Sequence, residues 1–139
     1  EIIQYILNKI VKPSIIPKMD FTDGIPKEAT TMVIIPTILK SPNKVKDLIS
    51  KLEVFYLANK TENLYFTLLG DASESSKETE EIDEEIIKIG IEETERLNKK
   101  YPNNGMEKFQ FIYRKREWND KEGCYLGWER KRGMINRTK

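Results

Sequence analysis

The chain has 139 residues, 34% charged and 38% apolar, with a formal net charge of +1. That composition describes one soluble, charge-rich globular domain with no global field to favour nucleic acid, and it is too apolar for disorder. One cysteine, Cys124, and no histidine exclude an internal disulfide framework, a Ser-His-Asp triad and most zinc sites.

The charge is patterned. Residues 78–95 are acidic and residues 108–139 are basic. No run approaches the roughly 20 apolar residues of a membrane helix, and no secretory signal is visible. The chain starts at Glu1 and stops at Lys139 directly after a charged motif. The expectation is an excised piece of a larger protein.

Residues 1–11 are apolar at 2, 3, 6, 7, 10 and 11, a helical stripe. Pro13 ends it, so residues 1–15 read as an amphipathic helical arm packed on the domain or lying at an interface. Residues 18–30 carry Asp23-Gly24 and Pro26 and read as an ordered loop. The run Thr31–Thr37 is continuously apolar up to Pro36, which predicts a strand buried on both faces. Ser41-Pro42 predicts a helix start, serine as cap and proline as first helical residue. Val45, Leu48, Ile49, Leu52, Phe55 and Tyr56 form its expected buried face. Leu64–Leu69 is a second strand, ended by Gly70-Asp71. A second helix is expected over 77–99, acidic at its front as the helix dipole favours, with Ile82, Ile86 and Ile89 on one face. Pro102 and Asn103-Asn104-Gly105 close it, and Phe109–Tyr113 is the third strand.

The order strand-helix-strand-helix-strand predicts an α/β fold of three layers, a parallel sheet of about three strands flanked by helices. Ligands on such sheets gather at the carboxyl ends of the strands. Thr37, Asp71 and a basic loop from Arg114 to Gly133 are expected there. Within that loop, Gly127-Trp128-Glu129-Arg130-Lys131-Arg132-Gly133 suits a diphosphate: cations supply charge-assisted hydrogen bonds and glycine lets the backbone approach. The bland alternative is a solvated basic run. Arg114, Lys115 and Arg116 either flank the diphosphate or solvate the strand end. Trp118 and Trp128 read as packing residues before sugar platforms. No Walker loop or dinucleotide turn follows the first strand. No recognised nucleic-acid-binding signature is present, so no nucleic-acid partner is expected.

Several ordered motifs carry a family resemblance. They are Ile16–Phe21, Gly24-Ile25-Pro26, Thr31–Thr37, Leu52–Asn59, Trp118-Asn119 and Gly127–Gly133. They resemble the glucosyltransferase region of cyclic beta-1,2-glucan synthases, large membrane proteins, over most of residues 16–133. The resemblance implies that residues 16–139 are a partial glycosyltransferase domain. It would be the nucleotide-sugar-binding, N-terminal half of a GT-A type, Rossmann-like nucleotide-diphospho-sugar transferase fold. It implies UDP-glucose as donor, a beta-1,2-glucan acceptor, and inversion at the anomeric carbon. The parent protein would sit in the inner membrane with this domain facing the cytoplasm. In related inverting transferases the residue ending the first strand and the aspartate ending the second hold the nucleoside. Those positions here are Thr37 and Asp71. The family's Lys-x-Gly motif resembles Lys131-Arg132-Gly133, with Arg130 beside it.

The sequence departs from the family pattern at one point. The metal-binding Asp-x-Asp and any downstream catalytic base are missing from it. Asp83-Glu84-Glu85 reads as the solvated face of the acidic helix, and Asp71-Ala72-Ser73 as a strand-end turn. No metal site is assigned, no catalytic residue is named, and magnesium or manganese is expected only for the complete enzyme. The fragment alone is expected to be inactive and to self-associate at high concentration. A non-catalytic nucleotide-binding or protein-interaction module is the alternative.

Overall fold

The computed structural model describes residues 23–127. The N-terminal arm at 1–15, Trp128, Arg130, Lys131, Arg132 and Gly133 lie outside the described residues. A short 3-10 turn at Lys27–Ala29 leads into strand β1, Thr31–Leu39. Helix α1, Pro42–Ala58, follows, then β2, Leu64–Ala72. Helix α2 spans Glu81–Lys100 and β3 spans Phe109–Arg114. Two three-residue strands, β4 (Glu117–Asn119) and β5 (Cys124–Leu126), come last.

The first three strands form one parallel sheet in the order β1-β2-β3. This is the expected α/β sheet flanked by helices, and every expected helix and strand among the described residues is present. Ser41 caps α1 as expected: its hydroxyl accepts from the Lys44 amide at 3.3 Å, and Pro42 opens the helix.

The layering follows from the strand order. Two right-handed crossovers running in the same direction place both helices on one face. The core shows it: Val45, Leu48, Ile49 and Leu52 of α1 and Ile86 and Leu97 of α2 join Leu39, Phe66, Leu68 and Phe109 of the sheet in one cluster. The opposite face of the central strand is covered as well, with Thr67 and Leu69 buried there.

Strand β1 departs from the reading as a doubly buried strand. It is an edge of the sheet, with Met32 and Ile38 exposed, and the central β2 is the strand buried on both sides. Pro36 fits that position. The Thr31 amide donates to Asn63 at 2.9 Å, so odd-numbered amides of β1 point towards β2 and even-numbered ones point outward. Proline at 36 removes a donor only from the outer side, where the ladder does not need it.

Phe55 lies off the buried face of α1, 43% exposed. Tyr56 instead packs inward, edge-on to Phe66 and Phe109. Helix α2 starts at Glu81 rather than 77, because Glu80 and Asp83 close a reciprocal capping box there. That shift leaves Ile82 exposed and puts Asp83, Ile86, Gly90, Thr94 and Leu97 on the buried face.

Candidate functional site

The carboxyl ends of β1, β2 and β3 lie side by side, with Ile38, Asp71 and Arg114 in register across the sheet. Asp71 is inside β2 rather than after it, and only 3% exposed. Arg114 grips it with two parallel bonds, Nε to Oδ1 and Nη2 to Oδ2, each 2.7 Å. This planar fork is the strong geometry for an arginine–carboxylate pair. The pair raises the already high pKa of Arg114 further, through the Asp71 hydrogen bond first.

The backbone of Gly127 lies against the same carboxylate. A Cβ placed there would come within 2.5 Å of Asp71 Oδ2. Glycine at 127 is therefore required by a close approach, and it sits immediately before the run Trp128–Gly133 in the sequence. Asp71 and the first residue of the basic motif are in this way brought together.

Thr37 is close in register but oriented differently. β1 continues two residues past it to Leu39, and Thr37 pairs with Gly70. Successive side chains of a strand alternate between faces. Thr37 shares the helix-side face with Leu39, a core residue, whereas Asp71 lies one register step on, on the opposite face. The two expected nucleoside contacts thus reach the sheet end from opposite faces.

A second ion pair stands beside the first. Arg116 is 3% exposed and bonds Asp83 through Nη1 and, at 3.1 Å, through Nη2. Tyr113 donates to Asp83 Oδ1 at 2.9 Å and the Glu80 amide to Oδ2 at 2.8 Å. Burial pushes the Asp83 carboxyl up, but the bonds from Arg116, the Glu80 amide and Tyr113 outweigh it and hold the group below its ordinary value. The expectation of a solvated face at Asp83 is overturned: it is the third residue of the capping box and the buried anchor of β4. Arg114 and Arg116 accordingly face internal carboxylates, so their charge is largely balanced before any diphosphate arrives.

The stretch after β3 is a hairpin and not the expected loop. β4 and β5 pair antiparallel, Trp118 opposite Tyr125. Gly123, at φ +66°, closes the turn, and the Asn119 side chain accepts from the amides of Lys121 and Glu122. The hairpin is tied back to the exit of β2 by paired backbone bonds between Ser75 and Tyr125, at 3.0 and 2.9 Å. Trp118 is 53% exposed, with its ring against Tyr125.

An open groove of about 630 Å3 follows β2 here, lined by residues including Ser73, Ser75, Lys77 and Glu80. Glu74 and Glu81 also line it, and their charge opposes a diphosphate. Among the described residues no group of three or more Asp, Glu, Cys or His stands close enough to hold a metal ion. Asp71 and Asp83 are both committed to arginines, so the described residues do not fit a divalent cation. No described helix is long and apolar enough to cross a membrane.

No protein-family model matches the chain. Over 125 residues, 90% of its length, it is 37% identical to the cyclic beta-(1,2)-glucan synthase NdvB of Rhizobium meliloti (strain 1021). This chain is similar to a segment of a cyclic beta-(1,2)-glucan synthase. The resemblance carried by the ordered motifs is thereby shown. The matched stretch is 4% of NdvB, so the chain corresponds to a small piece of a far longer protein. Of the motifs that carry the resemblance, Gly127 lies at the sheet end with Asp71, whereas Ile25 is bonded to Thr61 and Asn63 at the amino end of the strands.

Several of these residues escaped the sequence reading. Asp83 carried a signal, since an acidic residue three places after Glu80 can close a capping box. The hairpin carried one in Gly123 between two alternating segments. The Asp71–Arg114 and Asp83–Arg116 pairs join residues 43 and 33 apart, and no local pattern announces such partners.

Proposed function

We propose that this chain is the donor-binding piece of a GT-A type glucosyltransferase that uses UDP-glucose to build beta-1,2-glucan with inversion. The observation that carries the reading is the convergence at one sheet end. Asp71, at the carboxyl end of the central parallel strand, abuts Gly127, which opens the basic run Trp128–Gly133. Similarity to a glucan synthase supplies the substrate class.

In this reading Asp71 accepts from the uracil N–H through lone pairs not used by Arg114, and Thr37 approaches the same sheet end from the other face. Lys131, with Arg130 and Arg132, neutralises the diphosphate, and Gly133 lets the backbone approach it. The magnesium or manganese and the catalytic base of the complete enzyme would come from other parts of the parent protein. That parent is membrane-bound in this account, its domain on the cytoplasmic side. The glucan acceptor belongs to the parent as well.

Calorimetric titration of the chain with UDP, uridine and glucose tests the proposal. UDP is expected to bind with a Kd of about 1 mM, roughly −4 kcal/mol, as half a site would. Uridine should bind more weakly, and Lys131→Ala should abolish that difference. Asp71→Asn, which keeps the side-chain shape, should weaken both. Equal affinity for UDP and uridine would contradict the diphosphate role of the basic run.

One observation favours a second reading, a non-catalytic nucleotide-binding or protein-interaction module. Both oxygens of Asp71 are already engaged by Arg114. If Asp71→Asn leaves UDP affinity unchanged while lowering stability, Asp71 is structural and the module reading gains.

A further inference from the structure

We propose that Trp118 is a stacking platform for a glucan chain, beside the sheet end assigned to the donor. The choice of sugar rests on the glucosyltransferase reading above. The platform itself rests on the hairpin.

Tryptophan is on average among the well-buried residues, yet Trp118 is 53% exposed. Leu126, at the base of the same hairpin, is buried and supplies its apolar anchor. Trp118 nevertheless has little freedom. Its indole Nε1 donates to the Asp120 carboxylate at 2.8 Å, and its ring meets Tyr125 at 5.1 Å with the planes at 66°. Tyr125 is itself fixed to Ser75 by two backbone bonds. The polar need of the indole is met inside the hairpin, while a large aromatic surface still faces water. A ring held in place before binding loses little entropy when a ligand arrives.

A pyranose has the complementary shape: a flat face of C–H groups and a rim of hydroxyls. An aromatic face with polar neighbours suits it, because the apolar face stacks while the rim bonds to nearby polar groups. Charge selects among flat ligands. Beside the ring the hairpin carries Asp120 and Glu122 against Lys121, while Glu117 already interacts with Arg114. That balance opposes phosphates, and so opposes a nucleotide or nucleic acid as the stacked partner. A neutral sugar meets no such opposition.

The experiment is a chemical-shift titration of the full 139-residue chain with a short beta-1,2-glucan oligosaccharide, and separately with UDP. The indole N–H resonance of Trp118 is assigned by its loss in Trp118→Phe. The expected result is a saturable shift of that resonance with the glucan and none with UDP. Trp118→Ala should weaken glucan binding about tenfold or more, a loss of roughly 1.4 kcal/mol. Trp118→Phe, which keeps an aromatic face, should retain part of the affinity and guards against a misfolded alanine variant. An unmoved Trp118 resonance with glucan, or equal affinity of the alanine variant, overturns the platform. A shift with UDP alone means base stacking and overturns it too. UDP binding elsewhere on the chain with no glucan response sinks the platform and spares the donor reading. Glucan binding at Trp118 with no UDP binding does the reverse.

Discussion

Asp83 is held by Arg116, Tyr113 and the Glu80 amide in a setting that excludes water, and these partners keep its carboxyl below the ordinary 3.8. A carboxylate whose folded pKa is depressed contributes stability above its unfolded pKa and loses it as pH falls through the folded one. The chain should therefore lose stability on acidification below about pH 4, the ordinary carboxylate range. Asp83→Asn should remove that part of the acid sensitivity. At neutral pH it should also cost about 3–5 kcal/mol, because Arg116 is left buried without its counter-charge. Urea unfolding at pH 7 and pH 3 checks both. An unaltered acid slope in the variant would show that other carboxylates govern it. Tyr113 belongs to the same network: burial, then the bond to Asp83, raises its pKa, so it remains a donor throughout this range.

The elements were largely legible, because each rests on local chemistry. Ser41-Pro42 signalled the start of α1, the apolar runs signalled β1 and β2, and Pro102 with Gly105 signalled the end of α2. Boundaries were less legible where a long-range partner decided them. Helix α2 starts at Glu81 because Asp83 turns inward to Arg116, a residue far along the chain. Phe55 shows the same limit: periodicity admits it to the buried stripe of α1, but the sheet surface is already filled by Leu52 and Tyr56. Leu52→Ala should accordingly cost about 2–5 kcal/mol, as buried leucines do. Phe55→Ala should cost less than about 1 kcal/mol. Equal losses in a denaturant series would place Phe55 in the core after all. On β1, Pro36 blunts the outer edge by removing an outward amide. Pro36→Val restores that donor, and sedimentation should show the variant associating at lower concentration than the parent chain. No change would mean that the edge is not where copies meet.

At the scale of the whole molecule, the sheet end was legible from topology. Its inner pairing was not: the sequence offered Asp71, Arg114 and Arg116 as ligand groups, and folding gives two of these a partner in each other and the third a partner in Asp83. In the proposed donor reading that leaves the diphosphate to Lys115 and the run after Gly127. Among the described residues no group of three or more Asp, Glu, Cys or His stands close enough to hold a metal ion, and Asp71 and Asp83 are already held by arginines. Transfer needs both a stabilised leaving group and a proton acceptor. The chain alone should therefore give no glucosyl transfer from labelled UDP-glucose to a short beta-1,2-glucan, with or without magnesium or manganese. Turnover that Asp71→Asn abolishes would relocate the chemistry to this sheet end.

The donor reading requires UDP to bind where Asp71, Arg114 and Gly127 meet. Amide chemical-shift mapping with UDP should show saturable shifts at residues 70–73, 114–116 and 127–133, with Lys131→Ala reducing them. Shifts confined to the acidic stretch 78–95, or none at millimolar UDP, would contradict it.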